Sequence, residues 1–450
     1  MTGRRPERTK CLNFLTDFRK QHGDGWVSMP EFFKNAGYFT TAAGKLYHDG
    51  MDDPLSWSFP SNQTTWIQCV PGDDADVNKN YCGVTNASRI QYTDEELALK
   101  EGLRRMQAGH DSGQPWWVGI GIHRPHWPSR LPAGWTGPEV YPTGVLPPDF
   151  PKGIPLAPYM SGAYRDGDYK NSGLGCPNCS APTADTIEYR RWYFAAVSYA
   201  DHMLGQALNM LDTLGERDTT IVVFHSDHGY QLGELNEWSK KTTTELATRV
   251  PLMIRAPMLP QSAGTRTAVR AELVDLYRTL VDLAGLNSSA IQPDVQGVSL
   301  APLLTAPGAP PPAPLAGKIA YSQIGSCKCQ KYNVSTPGLN WTGMECNAGR
   351  CVNTNVTDFD FMGYSMNTPA EINGGTNWRY TVWVPMDNAT ARVDWTKEVF
   401  HELYNQTSDV WLPGTKNFDS PTYAINVAAD HPGVCAQFRT HMQAEVTSWY

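Results

Sequence analysis

Ile221-Val222-Val223-Phe224-His225-Ser226-Asp227-His228-Gly229 is the stretch that decides how this chain is read. The apolar run at 221–224 is short, β-branched and preceded by a polar turn, which predicts a buried strand. Asp227 and His228 stand where that strand stops, and Gly229 lets the chain turn sharply. In open α/β sheets, chemistry gathers at the carboxyl ends of strands. A carboxylate beside an imidazole at such an end suits a divalent metal. Trp238-Ser239-Lys240 follows, bringing a cation to face the same spot.

The surrounding chain has 450 residues, enough for one large or two medium domains. With 41% hydrophobic and 18% charged residues, it has the composition of a globular protein. A net charge of −8 leaves no basic field to recruit nucleic acid. An anionic substrate therefore needs locally placed cations. No apolar stretch is long enough for a membrane span. Ten cysteines accompany Asn-x-Ser/Thr at Asn62, Asn86, Asn178, Asn287, Asn333, Asn340, Asn355, Asn388 and Asn405. That combination points to the secretory route, lysosomal or extracellular. Met1-Thr2-Gly3-Arg4-Arg5-Pro6 lacks the apolar core of a signal peptide. The two signals together give the expectation that the protein's first segment is missing.

Along the chain, helices and strands alternate. Ser28 caps a short helix at 29–36, with Pro30 in its first turn. A helix at 92–106 opens on Thr93-Asp94-Glu95-Glu96. Apolar strands are expected at 38–43, 116–122, 219–226 and 250–256. Residues 128–180 are rich in Pro and Gly and read as a surface excursion. The strongest helical pattern runs over 187–214, with Tyr193, Ala196, Ala200, Leu204, Ala207, Leu211 and Leu214 on one face. An amphipathic helix follows at 273–283. Ala306-Pro307-Gly308-Ala309-Pro310-Pro311-Pro312-Ala313-Pro314 reads as a stiff connector. Beyond it come strands at 319–323 and 380–384 and a final helix. The division is a large α/β domain at 1–305, a linker at 306–316 and a smaller α+β subdomain at 317–450.

Four clusters carry chemical potential: Gly44-Lys45-Leu46-Tyr47-His48, His123-Arg124-Pro125-His126, Asp227-His228, and Lys240. Each alone has a structural reading, since single His and Lys residues are mostly surface or scaffold. Two of them, at His123 and Asp227, fall at strand ends, where a site belongs.

With these residues in view, the chain resembles the sulfatases of the alkaline-phosphatase-like superfamily, nearest to their iduronate 2-sulfatase branch. The resemblance rests on Thr2-Gly3-Arg4-Arg5-Pro6, Gly44-Lys45 with His48, and Ser56-Trp57-Ser58-Phe59-Pro60. It continues through His123-x-Pro125-His126, Ser226-Asp227-His228-Gly229, Leu232-Gly233-Glu234 and Glu237-Trp238-x-Lys240. Val250-Pro251-Leu252, Leu273-Val274-Asp275-Leu276, Met362-Gly363-Tyr364-Ser365, Arg379-Tyr380-Thr381-Val382-Trp383-Val384 and Glu402-Leu403-Tyr404 extend it to the C-terminal part. It covers nearly the whole chain, with gaps at 60–90, 128–180 and 325–360.

The resemblance implies a central mixed sheet flanked by helices, and hydrolysis of a sulfate ester of a sulfated glycan. It assigns Asp227 and His228 to a calcium site, and Lys45 and Lys240 to the grip on sulfate oxygens. His123 then binds sulfate or protonates the leaving oxygen. His48 assists and later deprotonates the formylglycine hydroxyl, and Tyr230 touches the sugar. The family signature runs Cys-x-Pro-Ser-Arg, four residues, then Thr-Gly. Thr2-Gly3 matches its end, so the Cys that becomes formylglycine, the Asp pair that supplies further metal ligands, and their central strand are expected upstream of Met1. Cys11 lacks the following Pro and Arg and does not replace it. The chain alone is thus expected to fold poorly and to lack turnover. A sulfatase-fold protein that binds sulfated glycans without a nucleophile is the alternative reading. A phosphodiesterase-like relative is disfavoured by Thr2-Gly3-Arg4-Arg5-Pro6 and Lys240.

One departure stands near Lys240: Gly233-Glu234-Leu235-Asn236 replaces the branch's frequent Gly-Glu-His-Gly. Cys69 and Cys82 match a disulfide-closed loop of the branch. Cys176-Pro177-Asn178-Cys179 and Cys327-Lys328-Cys329 are read as loop disulfides rather than zinc knuckles. Cys346 and Cys351 pair with each other or with Cys327 and Cys329.

Overall fold

A computed structural model describes residues 1–48, 50–62, 81–84, 94–127, 129–132, 135, 183–232, 238–240, 242–327, 329–336, 339–346, 355–387, 389–397, 399–407 and 425–450. The expectations for residues 69, 176–179, 233–237 and 351 lie outside these.

In the N-terminal part, strands β1 (Phe39–Gly44), β2 (Tyr81–Val84), β3 (Trp116–Gly121) and β4 (Ser129–Pro132) form two parallel pairs, β1 with β3 and β2 with β4. Strands β5 (Val222–His225), β6 (Gln231–Leu232), β7 (Trp238–Ser239) and β8 (Leu252–Arg255) form two antiparallel pairs, β5 with β8 and β6 with β7. The sequence predicts a buried strand at 221–224, but Val222, Val223 and Phe224 are half-buried and His225 is exposed. In β8, half-buried Leu252 and Ile254 alternate with exposed Met253 and Arg255. β8 is thus covered on one face, whereas successive residues of β5 are half-buried alike.

Ser28 caps the helix Met29–Asn35 through a reciprocal box with Glu31. The helix expected at 92–106 runs on to Asp111. The long helix is Thr183–Thr213; on the face that the periodicity suggests Ala196 and Leu211 are buried, but the deepest burial lies on a neighbouring stripe. Tyr189, Trp192, Ala195, Ala196, Tyr199 and Met203 are buried, whereas Tyr193, Ala200, Leu204 and Ala207 are half-buried. The large rings decide this. Tyr189 packs on Trp127 with centroids 4.1 Å apart, and Trp135 packs on Tyr199 at 5.4 Å, so the aromatic side outweighs the alanine side. The helix expected at 273–283 opens with a tighter turn, Leu273–Asp275, then continues as Leu276–Leu283. Asp275 accepts the Glu272 N–H there at 2.8 Å.

In the C-terminal part, β9 (Ala320–Cys327), β10 (Cys329–Thr336), β11 (Leu339–Cys346), β12 (Phe359–Thr368), β13 (Trp378–Asp387), β14 (Arg392–Val393) and β15 (Phe400–Asn405) follow. Five of them form an antiparallel sheet in the order β14-β13-β12-β9, with β15 also on β13. Its core is Tyr364, Met366, Tyr380, Val382, Val384 and Leu403, covered by Phe438, Met442 and Val446 of the terminal helix Pro432–Trp449. The β10–β11 hairpin sets Cys329 opposite Cys346.

Two stretches quoted separately from the sequence meet in space. Arg4 makes paired hydrogen bonds to Asp294 at 2.8 and 2.6 Å, and Arg5 does the same to Glu272 at 2.8 Å each. Lys318 also donates to Glu272, at 2.8 Å. Thr2-Gly3-Arg4-Arg5-Pro6 is therefore a clamp on the region of Leu273-Val274-Asp275. The Pro-rich segment is held in turns, with the Leu315 N–H on the Pro312 carbonyl at 2.8 Å and Leu315 buried.

Candidate functional site

The site begins where β1 and β3 end side by side. Their parallel register closes on Gly44 opposite Gly121. The Lys45 N–H then donates to the Gly121 carbonyl at 2.9 Å. Both glycines are required by this contact. A Cβ on Gly121 would lie 2.0 Å from the Lys45 carbonyl oxygen, and one on Gly44 would lie 2.1 Å from the Gly121 carbonyl oxygen. Gly44 also has φ +72°, where a side chain is strained. The result sets Lys45 beside the segment leading to His123.

The loop after Lys45 is fixed by buried polar contacts. Arg19 donates to both oxygens of Asp53, at 2.8 and 3.0 Å. The Ser56 hydroxyl donates to Asp53 Oδ2 at 2.6 Å, and Trp57 Nε1 donates to Asp52 at 2.9 Å. Ser56 and Trp57 thus anchor the loop. His48 closes a turn with the Met51 N–H, and its ring stacks on Phe14 with centroids 4.1 Å apart.

The second edge of the site is the turn after β5. The Asp227 Oδ1 accepts the His228 N–H at 3.0 Å, and the Ser226 hydroxyl donates to the His228 carbonyl at 2.8 Å. His228 Nδ1 meets the Gly229 carbonyl at 2.8 Å. A carbonyl only accepts, so Nδ1 carries the proton and Nε2 keeps its lone pair. That Nε2 lies 3.4 Å from Asp227 Oδ2. Two acceptors facing each other at that range fit a cation between them, and Asp227 is exposed enough to receive one. Among the described residues, no group of three or more His, Cys, Asp or Glu side chains is disposed to hold a metal. Gly229 stays outside the left-handed region. It is needed because a Cβ there would lie 1.9 Å from the Leu246 carbonyl oxygen.

The β6–β7 hairpin pairs Gln231 with Ser239, which brings the next residue, Lys240, level with Tyr230. Electrostatics place these groups in one field. Burial lowers the pKa of His228, and the Lys240 and Lys45 ammonium groups lower it further against the pull of Asp227. His126 is pushed down to about 2 by burial, then by Lys240, His123 and His228. Its ring lies 5.4 Å from that of His123, and its Nδ1 meets the Trp127 carbonyl. Lys45, His123, His126, Asp227, His228 and Lys240 therefore share one neighbourhood. His48 is positioned by Phe14, three residues past Lys45. Tyr230 stacks on Tyr193 at 5.1 Å, against the aromatic cluster of the long helix. Sequence reasoning gave no role to His126, although it is the second imidazole of His123-x-Pro125-His126. A hollow of about 470 Å³ lined by Arg278, Gln296, Pro302, Pro312 and Leu315 includes none of these site residues.

The sulfatase family profile matches residues 1–286. Iduronate 2-sulfatase of Mus musculus is 30% identical, over 91% of this chain and 79% of that protein. Iduronate 2-sulfatase of Homo sapiens is 28% identical, over 91% of this chain and 80% of its own length. Among solved structures, a phosphonate monoester hydrolase from Silicibacter pomeroyi superposes with a TM-score of 0.64 at 19% identity. It covers 100% of this chain and 85% of that one, a likeness of fold.

Proposed function

Since this chain belongs to the sulfatase family, a family of sulfuric ester hydrolases, we propose that its site receives a sulfate ester of a sulfated glycan, in the manner of an iduronate 2-sulfatase. The observation that carries this reading is that Lys240 acts on both His126 and His228, and Lys45 on His228, imidazoles that burial first and these ammonium groups second keep neutral. A pair of ammonium groups suits the sulfuryl oxygens that share the ester's negative charge, and no reorganisation is needed as charge develops there.

In this reading the Lys45 and Lys240 ammonium groups donate to sulfuryl oxygens. His123 donates to the ester or leaving oxygen, with His126 packed behind it. His48, held by Phe14, removes a proton from the attacking group. Asp227 and His228 hold the divalent metal, for which we favour calcium on the strength of the carboxylate ligand. When bound, calcium supplies positive charge to a sulfuryl oxygen, and formylglycine supplies the attacking hydrate. No Cys-x-Pro-Ser-Arg run occurs within residues 1–450, so these residues alone bind the ester without turning it over. Tyr230, stacked on Tyr193, offers a face to the sugar. Exposed sequons at Asn62, Asn287, Asn355 and Asn405 support a secretory location.

The test is calorimetric binding of a sulfated, uronic-acid-containing disaccharide and of its desulfated counterpart. The sulfated form binds at least about tenfold more tightly, and K45M and K240M each lose about that factor. Equal binding of the two disaccharides overturns the proposal.

A further inference from the structure

Lys240 and the Asp227–Gly229 turn lean on the same short segment, and that segment is held from the C-terminal sheet. The Thr242 N–H donates to the Lys240 carbonyl at 2.9 Å. Three residues on, the helix Glu245–Thr248 begins, and its Ala247 carbonyl accepts the Gly229 N–H at 2.8 Å. The Leu246 carbonyl fills the space where Gly229 has no Cβ. The stretch 242–247 thus touches both the lysine's turn and the turn that carries His228.

Arg379 on β13 grips this stretch. Its Nε donates to Glu245 Oε2 at 3.0 Å, and its Nη2 donates to the same oxygen. Nη1 donates to the Thr243 carbonyl and to the Ser365 hydroxyl, each at 3.0 Å. Glu245 Oε2 also accepts from Asn367 at 3.2 Å, and the Thr243 and Thr381 hydroxyls lie 3.2 Å apart. Arg379, Thr243, Glu245, Ser365 and Thr381 are all buried.

We propose that Arg379 is a positioning residue for the sulfate site, acting through Glu245 and Thr243 to hold the backbone of Lys240 where its ammonium meets the anion. This rests on the reading of Lys240 as a sulfate ligand. A lysine loses much rotamer freedom when it is immobilised, so a wandering backbone adds directly to the cost of engaging an anion. The guanidinium fork, with charge-assisted bonds to one carboxylate, a carbonyl and a hydroxyl, fixes that backbone in several directions at once. The C-terminal sheet then contributes to the site through this contact.

The experiment measures inorganic sulfate binding by calorimetry on the full chain, with thermal melting alongside. K240M weakens binding about tenfold or more, and R379K about fivefold while remaining folded. S365A, a milder cut of the same network, weakens it about twofold and serves if R379K does not fold. The double variant R379K/K240M binds no worse than K240M, because the arginine acts through the lysine. M442A, in the same subdomain's core but away from 242–247, lowers the melting temperature and leaves sulfate affinity unchanged. Wild-type affinity in a folded R379K or S365A, or losses that multiply in the double variant, overturns the inference. If K240M binds sulfate as the wild type does, the reading of Lys240 fails instead.

Discussion

The Lys45 N–H donates to the Gly121 carbonyl at 2.9 Å, so the first residue past β1 is tied to the last residue of β3. One hydrogen bond between parallel strand ends thereby sets a candidate sulfate ligand beside the run that leads to His123. It works because neither Gly44 nor Gly121 has a side chain. In Gly121→Ala the new methyl would meet backbone, which cannot rotate away. The strand ends must separate, at a cost of about 1–3 kcal/mol. We expect a lower urea midpoint together with weaker sulfate binding. An alanine variant with wild-type stability and affinity would show that the strand ends move apart freely.

The neutral imidazole at 126 makes a signed prediction about pH. Its folded pKa, about 2, lies below the roughly 6.5 of an unfolded histidine. Below pH 6.5 the unfolded chain takes up a proton that the folded chain refuses, so stability falls as the pH drops, by up to about 1.4 kcal/mol per unit for this residue. Replacement by Gln removes that slope. Urea unfolding at pH 8, 6.5 and 5 should show H126Q losing less stability than the wild type toward pH 5. Parallel pH profiles for the two proteins would place His126 in a solvated setting.

In the proposed metal site, Asp227 and His228 would supply one carboxylate oxygen and one lone-pair nitrogen to the cation. Two such protein ligands make a weak site, with calcium dissociation constants of about 10⁻⁴–10⁻³ M. Saturating calcium at about 100 times the dissociation constant stabilises the chain by about 2.7 kcal/mol, and chelation reverses this. D227N abolishes the calcium-dependent rise in melting temperature. An undiminished rise in D227N would locate calcium elsewhere.

What could be read from the chain follows from how local each signal is. The strand ends at His123 and Asp227 were legible because an apolar run and its polar terminus are adjacent in sequence. The capping box at Ser28 was legible for the same reason. The depth of β5 was not, because what covers the faces of a strand lies elsewhere in sequence, as its pairing partner β8 does. Likewise, the buried side of the long helix is set by Trp127 and Trp135, outside the helix itself. Arg379 and Glu245 lie 134 residues apart, and neither residue type at either position signals the other. His126 stood in plain view, but its setting comes from Lys240 and His228, which only the fold brings close.

Glu402 gives a last prediction, in the C-terminal core. Trp383 Nε1 and the Tyr404 hydroxyl donate to its two carboxyl oxygens, at 2.5 and 2.8 Å. Burial raises its pKa despite these donors. The sign follows from linkage: a carboxyl whose folded pKa is raised holds its proton longer in the folded chain, so its contribution to stability falls as pH climbs from the unfolded value, about 4.3, through the folded one. In E402Q the amide oxygen takes the Trp383 N–H, and the amide nitrogen donates to the Tyr404 hydroxyl, which can accept. The exchange keeps both contacts and removes the ionisation. We expect E402Q to change stability by less than about 1 kcal/mol at pH 5 and to be the more stable protein at pH 8. E402A removes the carboxyl acceptor from both donors and costs about 2–3 kcal/mol at either pH. The check is a pair of urea titrations at pH 5 and pH 8. A glutamine variant that loses stability toward alkaline pH relative to the wild type would mean that the carboxylate is held ionised in the core.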